Sequence, residues 1–229
     1  MKRRSVLSSA GVWCLGLVTL PATGWAAAFS SKDATAALRA ALDKGAEVAV
    51  SQLGAHNGFL SNERVRIDLP SPLDQAAPLL QAMGRGKQLQ QLTEAMNHAA
   101  EQAVALARPL LSKAIKDMSV QDAVGILQGG DNAVTAYFAR KTREPLTVQF
   151  QPVVNRSLEK LSVTQRYNDL AGKAQQFGLL KGQGATLQDH VTGKALDALY
   201  MVIGEEERKI RQDPVGTGSA LLKKVFGAL

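Results

Sequence analysis

Acidic residues and a histidine occur at helical spacing around residue 98. Glu94, His98 and Glu101 stand at positions i, i+4 and i+7, so on a helix they share a face and could hold a metal ion. A two-metal site in a helical bundle needs matching residues on other helices, and the sequence has no Glu-x-x-His motif to supply them. The trio also lies opposite an apolar stripe that runs from Leu89 to Leu110. We interpret it as a solvated polar face and expect neither a metal ion nor a cofactor.

A Glu-rich segment near the C-terminus, Glu205–Arg211, offers the strongest candidate for a buried charge. Glu206 falls at helical spacing within an apolar stripe formed by Val191, Ala195, Leu199, Val202 and Ile210. A carboxylate there needs a cation or several donors, so we predict a buried pair with a basic residue from elsewhere, Arg66 being the candidate. We expect this pair to be structural. The segment also holds two pairs expected on an exposed face: Glu205 with Lys209, and Glu207 with Arg211.

The Gly129-Gly130-Asp131 segment separates two helical patterns. We interpret it as a helix-junction turn in which glycine takes the left-handed conformation and Asp131 accepts from the first amides of the next helix. Ser157 and Lys160 fit the Ser-x-x-Lys pattern of acyl-enzyme chemistry, but the Ser-Asp-Asn and Lys-Thr-Gly motifs that accompany it are missing. We therefore assign no catalytic residue and favour a protein that is not an enzyme.

Residues 1–28 have the order of a secretory signal peptide. A basic start, Lys2 to Arg4, precedes an uncharged apolar stretch and a run of small residues. We expect cleavage after Ala28, with Ala26 as the alternative, and the adjacent arginines leave general and twin-arginine export both open. The mature chain, residues 29–229, is then an exported protein, which we expect in the periplasm.

Charge and cysteine content narrow the function further. Cys14 is the single cysteine and lies in the leader, which excludes disulfides, thiol catalysis and thiolate metal ligands from the mature chain. The whole chain has a formal net charge of +7, and loss of the three cations of the leader leaves +4. This charge is mild and the protein is exported, so we expect no nucleic-acid partner. Weak attraction to an anionic membrane surface stays open.

Apolar residues recur at helical spacing through almost all of the mature chain. Glycine, proline and capping residues divide it into helices over about 31–53, 72–83, 87–116, 120–128, 131–143, 146–161, 164–177, 187–212 and 219–226. Pro109 should bend or divide the third of these, and Glu144-Pro145 should separate two helices. Val65 to Leu69 alternates apolar and charged residues, but without a partner strand we interpret it as an extended connector.

These elements predict an all-α protein. With short linkers and no internal repeat, the simplest architecture is a single compact bundle of roughly eight or nine helices in one domain, without significant sheet and without a transmembrane span in the mature chain.

Five segments carry a resemblance to a known family: Asn57–Leu60, Val65–Pro70, Met96–Glu101, Asp122–Asp131 and Glu205–Pro214. In this order they resemble the bacterial family called domain of unknown function 4197, and the likeness covers nearly all of the mature chain. The resemblance implies an exported helical protein with no assigned activity, so no catalytic or ligand residue can be carried over. It also implies a basic residue where this chain has His98, which counts against a metal role for that histidine.

Three functions therefore stay open, in descending order. The first is a non-enzymatic envelope protein that acts through a protein partner or assembly. An exposed apolar surface on the folded protein would support it. The second is a helical carrier of an apolar or lipid-like ligand, which needs a large internal cavity. The third is an enzyme that uses carboxylates such as Glu206 or Asp131, which needs two acids facing each other in an open cleft.

Overall fold

The computed structural model describes residues 31–160, 163–176 and 186–213. Within these ranges the chain forms helices and no strand, which confirms the predicted all-α class. The signal peptide predicted over residues 1–28 and the short helix predicted over 219–226 lie outside the described residues. The helices are α1 (Ser31–Gly54), α2 (Ser71–Ala82), α3 (Gly86–Val104), α4 (Arg108–Lys116), α5 (Val120–Gln128), α6 (Ala133–Lys160), α7 (Val163–Gln176) and α8 (Leu187–Gln212).

Pro109 divides a segment that the apolar spacing alone would make one helix. The chain leaves the helix after Val104 and begins α4 at Arg108, with Pro109 in the first turn of the new helix. Proline is tolerated there because the first-turn amides have no partner within the helix. Leu106, which belongs to the predicted apolar stripe, falls in the break and is exposed.

Pro145 has the opposite outcome, because α6 runs through it without a break. The predicted boundary at Glu144-Pro145 is therefore wrong. A proline inside a helix costs about 3 kcal/mol, whereas full burial of one large apolar side chain contributes about 1.5–3 kcal/mol. The residues that follow Pro145 bury four such side chains in register with those that precede it: Leu146, Phe150, Val154 and Leu158.

The long helices α6 and α8 form the centre of the bundle, where α6 packs most extensively against α8 and α3. Buried apolar side chains from all eight helices join in one continuous cluster. The short helix α5 lies at the edge of this core, packed on α1 and α6. Within the described ranges, no helix combines the length and apolar character needed to cross a bilayer.

The connector between α1 and α2 lies across α3. Ile67 is buried, and the side chain of Asn97 donates to its carbonyl oxygen at 2.9 Å and accepts from its amide at 2.8 Å. One amide side chain thus gives the extended segment the two backbone bonds that a neighbouring strand would have given it. This is the physical reason that residues 65–69 alternate like a strand and yet belong to no sheet.

Candidate functional site

The buried carboxylate of the Glu-rich segment belongs to Glu207, a residue that is 3% exposed. Its two oxygens accept from the amide of Val134 at 3.1 and 3.2 Å, and Oε2 accepts from the amide of Thr135 at 3.3 Å. Both amides belong to the first turn of α6, where backbone N–H groups have no partner within the helix. Glu207 therefore caps α6 from α8, and its negative charge lies at the positive end of the helix dipole.

Arg211 lies one turn further along α8 and binds the neighbouring helix end. Its Nη2 donates to Oε1 of Glu207 at 2.9 Å and to the carbonyl oxygen of Ile126 at 2.9 Å. Ile126 is in the last turn of α5, where carbonyl groups lack partners and the helix dipole is negative. A cation from α8 thus holds the end of α5, and an anion holds the start of α6. We call Glu207 and Arg211 the α8 clamp.

The helix-junction turn at Gly129, Gly130 and Asp131 lies between the two backbone groups that the clamp binds. Asp131 is exposed, and the first-turn amides that we expected it to bind donate to Glu207 instead. Gly129 has a φ of −76°, so it does not take the expected left-handed conformation. A glycine is required there because a Cβ would lie 2.5 Å from the Cβ of Ala133.

The structure does not bring Glu206 and Arg66 together. Glu206 is half-buried and accepts from Nζ of Lys209 at 2.6 Å, while Nε of Arg66 lies 3.5 Å from Oδ1 of Asp68. The predicted partners therefore each bond a residue close to them in sequence.

Helical periodicity alone cannot distinguish Glu206 from Glu207. Glu206 follows the buried Val202 by four residues, and Glu207 follows the buried Ile203 by four. Which of the two glutamates is buried depends on α6, whose first-turn amides donate to Glu207. The pair of Glu207 with Arg211 forms as predicted, but Glu207 is buried and Arg211 is half-buried, where the sequence suggested an exposed face.

A second buried carboxylate, Glu101 on α3, is 5% exposed. Its Oε1 accepts from the amide of Phe59 at 3.3 Å, and its Oε2 lies 2.8 Å from Nδ1 of His98. The predicted solvated face is wrong for Glu101, because the connector after α1 folds over α3 and buries the ring of Phe59 completely. Glu94, the third member of the predicted trio, accepts from Gln90 at 2.9 Å instead.

The structure adds His56, which the sequence analysis missed. His56 lies in the turn after α1, and its ring stacks on that of His98 with centroids 5.2 Å apart and planes 7° from parallel. One potential ligand atom from each of His56, His98 and Glu101 lies within 4.8 Å of the other two. The three side chains line an open depression on the surface. We call them the His-His-Glu cluster.

The outward face of α5 is apolar. Val120 and Val124 lie one turn apart and are 42% and 39% exposed. Gly125 lies beside them at the surface, where a Cβ would meet no atom within 4 Å. Together they form a small apolar surface, which we call the α5 face.

Both ends of α5 are fixed by side chains. At the start, the hydroxyl of Ser119 accepts from the amide of Asp122 at 3.0 Å, and Oδ2 of Asp122 accepts from the amide of Ser119 at 3.1 Å, which is a capping box. Arg39 on α1 donates to the carbonyl oxygen of Met118 just before it. At the other end, Arg211 binds Ile126. The α5 face is thus presented on a helix that is held in place.

A family model described as "Protein of unknown function (DUF4197)" matches residues 28–227. The chain belongs to this family. The resemblance seen in the sequence segments is thereby confirmed. Comparisons with curated proteins and with solved structures gave no match.

Four of the five segments that carried the resemblance to DUF4197 meet in two pairs in the folded chain. Asp122–Asp131 provides the carbonyl and the turn at the α8 clamp, and Glu205–Pro214 provides its two charged side chains. Asn57–Leu60 provides the amide that binds Glu101, and Met96–Glu101 provides the carboxylate and His98. These segments therefore make contacts between parts of the chain that are distant in sequence.

Proposed function

We propose that the protein is an exported, non-enzymatic protein of the bacterial envelope that acts through a protein partner, and that the α5 face binds this partner. The observation that carries the proposal is an apolar surface on a helix whose two ends are both fixed. Export rests on residues 1–28, whose basic start, apolar stretch and small residues have the order of a signal peptide. The periplasm is the compartment that this leader supports.

The α5 face has the properties of a small docking surface. Exposed apolar area contributes about 25 cal/mol per Å² when a partner removes it from water, and Val120 and Val124 together offer such area in one place. Gly125 beside them lets a partner approach the helix backbone closely. Because the helix is already fixed, binding would not require it to become ordered. Two valines make a small contact, so we expect a weak, transient interface with an apolar segment of the partner, below about 1,200 Å² in total.

Site-specific photo-crosslinking in the native envelope tests this proposal. A photoreactive side chain replaces Val124 in one version of the protein and the exposed Lys194 on α8 in a control version. We expect a defined protein adduct from position 124 and none from position 194. A Val120→Asp substitution in the same chain should abolish the adduct while leaving the helical circular dichroism unchanged, because Val120 is exposed. Equal adducts from both positions, or an adduct that survives Val120→Asp, would contradict the proposal.

The other two functions have less support from the geometry. A carrier needs an enclosed apolar cavity. The depression at the His-His-Glu cluster opens to solvent, and so does a second one, which charged side chains line: Arg85, Asp169 and Lys173. For the carboxylate enzyme, Glu206 is bonded to Lys209, and Asp131 lies exposed in a turn. The protein partner therefore ranks first.

A further inference from the structure

We propose that His56, His98 and Glu101 form a binding site for a late first-row transition-metal dication, with Zn²⁺ as the probe ion. The proposal lies beyond partner binding and does not depend on it, because the cluster is built on α3 and the turn after α1 and shares no residue with the α5 face. It reverses the expectation from the sequence that the protein has no metal site.

The donor set selects this class of ion. Two imidazole nitrogens and one carboxylate oxygen are ligands that Zn²⁺ binds in many proteins, whereas Mg²⁺ and Ca²⁺ prefer sites made of oxygen alone. Three protein ligands leave a coordination position for water or for another molecule. That position would face the open depression lined by Gln102 and Ala105 in addition to the three ligands.

The charge of Glu101 gives the cluster a reason to accept a cation. A buried carboxylate needs a counter-charge, and in the described part of the chain the ion-pair partner of Glu101 is His98. A metal ion bound here would place a permanent positive charge next to this buried carboxylate.

To bind the ion, the ligand atoms must move closer together and one of the two stacked rings must turn, because parallel rings do not direct their in-plane lone pairs at one point. Ligand atoms about 2.0–2.1 Å from a tetrahedral zinc ion lie roughly 3.4 Å from one another, and those of the cluster lie within 4.8 Å. His56 is exposed and sits in a turn, so its ring can rotate toward the other two ligands. The ion would replace the hydrogen bond between His98 and Glu101. The amide of Phe59 would keep its bond to Oε1 and orient the carboxylate, as outer-shell partners of metal ligands do.

Only one of the two buried carboxylates meets these conditions. The two oxygens of Glu207 already accept from two backbone amides and from a guanidinium, which is always charged.

Calorimetric titration with Zn²⁺ tests the site on protein that carries no histidine tag and has been treated with a chelator and dialysed. We expect one Zn²⁺ per chain, with Mg²⁺ in large excess failing to compete. His56→Gln and His98→Gln should each weaken binding at least about tenfold, which is about 1.4 kcal/mol. The matched control is His190→Gln. His190 is a half-buried histidine on α8 whose Nε2 lies 3.0 Å from the carbonyl oxygen of Asp68, and it is not a member of the cluster, so its replacement should leave the affinity unchanged.

The His56 variant carries the test, because this residue is exposed and its replacement should not disturb folding. Circular dichroism of each variant checks that the helices are intact. The visible absorption of bound Co²⁺ gives a second measurement, which should appear in the wild type and in the His190 variant and be lost from the His56 variant. Absence of binding, or binding that His56→Gln leaves unchanged, would overturn the proposal. So would an equal loss in the His190 variant.

Discussion

Glu207 and Glu101 are carboxylates on different helices that are almost equally buried and have different neighbours. Glu207 accepts from two backbone amides and from Arg211, so its charge is fully compensated by groups of the protein. Glu101 accepts from one backbone amide and from His98, and His56 stacks beside that histidine at the surface. The first region is closed and the second faces an open depression.

The difference shows that burial of a carboxylate does not by itself indicate a function. A guanidinium and two amides occupy the acceptor positions of the Glu207 carboxylate. The role of the α8 clamp is therefore to hold helices together. Imidazoles bind metal ions, so the neighbours of Glu101 are of the kind that the metal site we propose requires. The partners of a buried acid therefore separate a structural role from a chemical one.

The largest effect should follow from Glu207→Gln, which removes the anion of the clamp. Loss of one member of a buried, hydrogen-bonded charge pair typically costs about 3–5 kcal/mol, because the remaining charge loses its buried counter-charge. For a protein of this length we expect a fall in melting temperature of roughly 6–20 °C. Thermal unfolding followed by circular dichroism measures it.

Glu206→Gln is the matched control for this change. Glu206 bonds the exposed Lys209, and such a pair contributes about 1 kcal/mol or less. If both neighbouring variants lowered the melting temperature equally, the clamp would not be the source of the stability assigned to Glu207.

A smaller effect should follow from Gly204→Ala on the same helix. A Cβ at position 204 would lie 2.8 Å from Oγ1 of Thr135, in the first turn of α6 that the clamp holds. Overpacking of this kind costs about 1–3 kcal/mol. Gly193→Ala is the control, since a Cβ there would meet nothing within 4 Å, and it should stabilise α8 by up to about 1 kcal/mol. Urea unfolding measures the change in the free energy of unfolding for each variant. Changes of opposite sign would support a close approach of α6 to α8, and changes of the same sign would contradict it.

The same substitution at the second carboxylate, Glu101→Gln, should lower the free energy of unfolding by less than Glu207→Gln does. Glutamine keeps an acceptor for the amide of Phe59, and the lost bond to His98 joins an imidazole, not a permanent cation. We expect the free energy of unfolding to fall by about 1–2 kcal/mol in this variant. The comparison becomes sharper if Zn²⁺ is present, because only the wild type should then gain stability from the ion. Equal losses at Glu101 and Glu207 in chelator-treated protein would show that the two regions do not differ as we describe.

The helical class was predictable from the sequence because the apolar spacing is helical almost throughout. Where two neighbouring residues satisfied the same spacing, periodicity could not choose, and so Glu206 was selected although Glu207 meets the amides of α6. The boundary at Pro145 failed for a related reason. A local rule about proline was outweighed by four buried side chains whose packing depends on other helices.

The His-His-Glu cluster could be predicted only in part. His98 and Glu101 share a helix, so their spacing was informative. His56 is separated from them by the connector and α2, and it reaches them because Phe59 and Ile67 fasten that connector to α3. The end of the helix predicted over residues 31–53 placed His56 just beyond that helix, but no local pattern indicated which other helix it would meet.

The smallest effect concerns the two ends of α5, one held by the clamp and the other by its own capping box. The hydroxyl of Ser119, followed by its backbone amide, holds the pKa of Asp122 below its ordinary value of 3.8 by hydrogen bonding. A lowered pKa means that the contribution of Asp122 to stability is complete at a pH above its unfolded-state pKa and is lost as the pH falls through its folded-state pKa.

Asp122→Asn should therefore lower the free energy of unfolding by up to about 1 kcal/mol at pH 7. The cost should disappear at a pH below both values, where Asp122 is itself neutral. The contact from Arg211 to Ile126 at the other end involves a guanidinium that stays charged over this whole range. Urea unfolding of both proteins at the two pH values measures the difference, and a cost that does not change with pH would show that the charge of Asp122 plays no part in the cap.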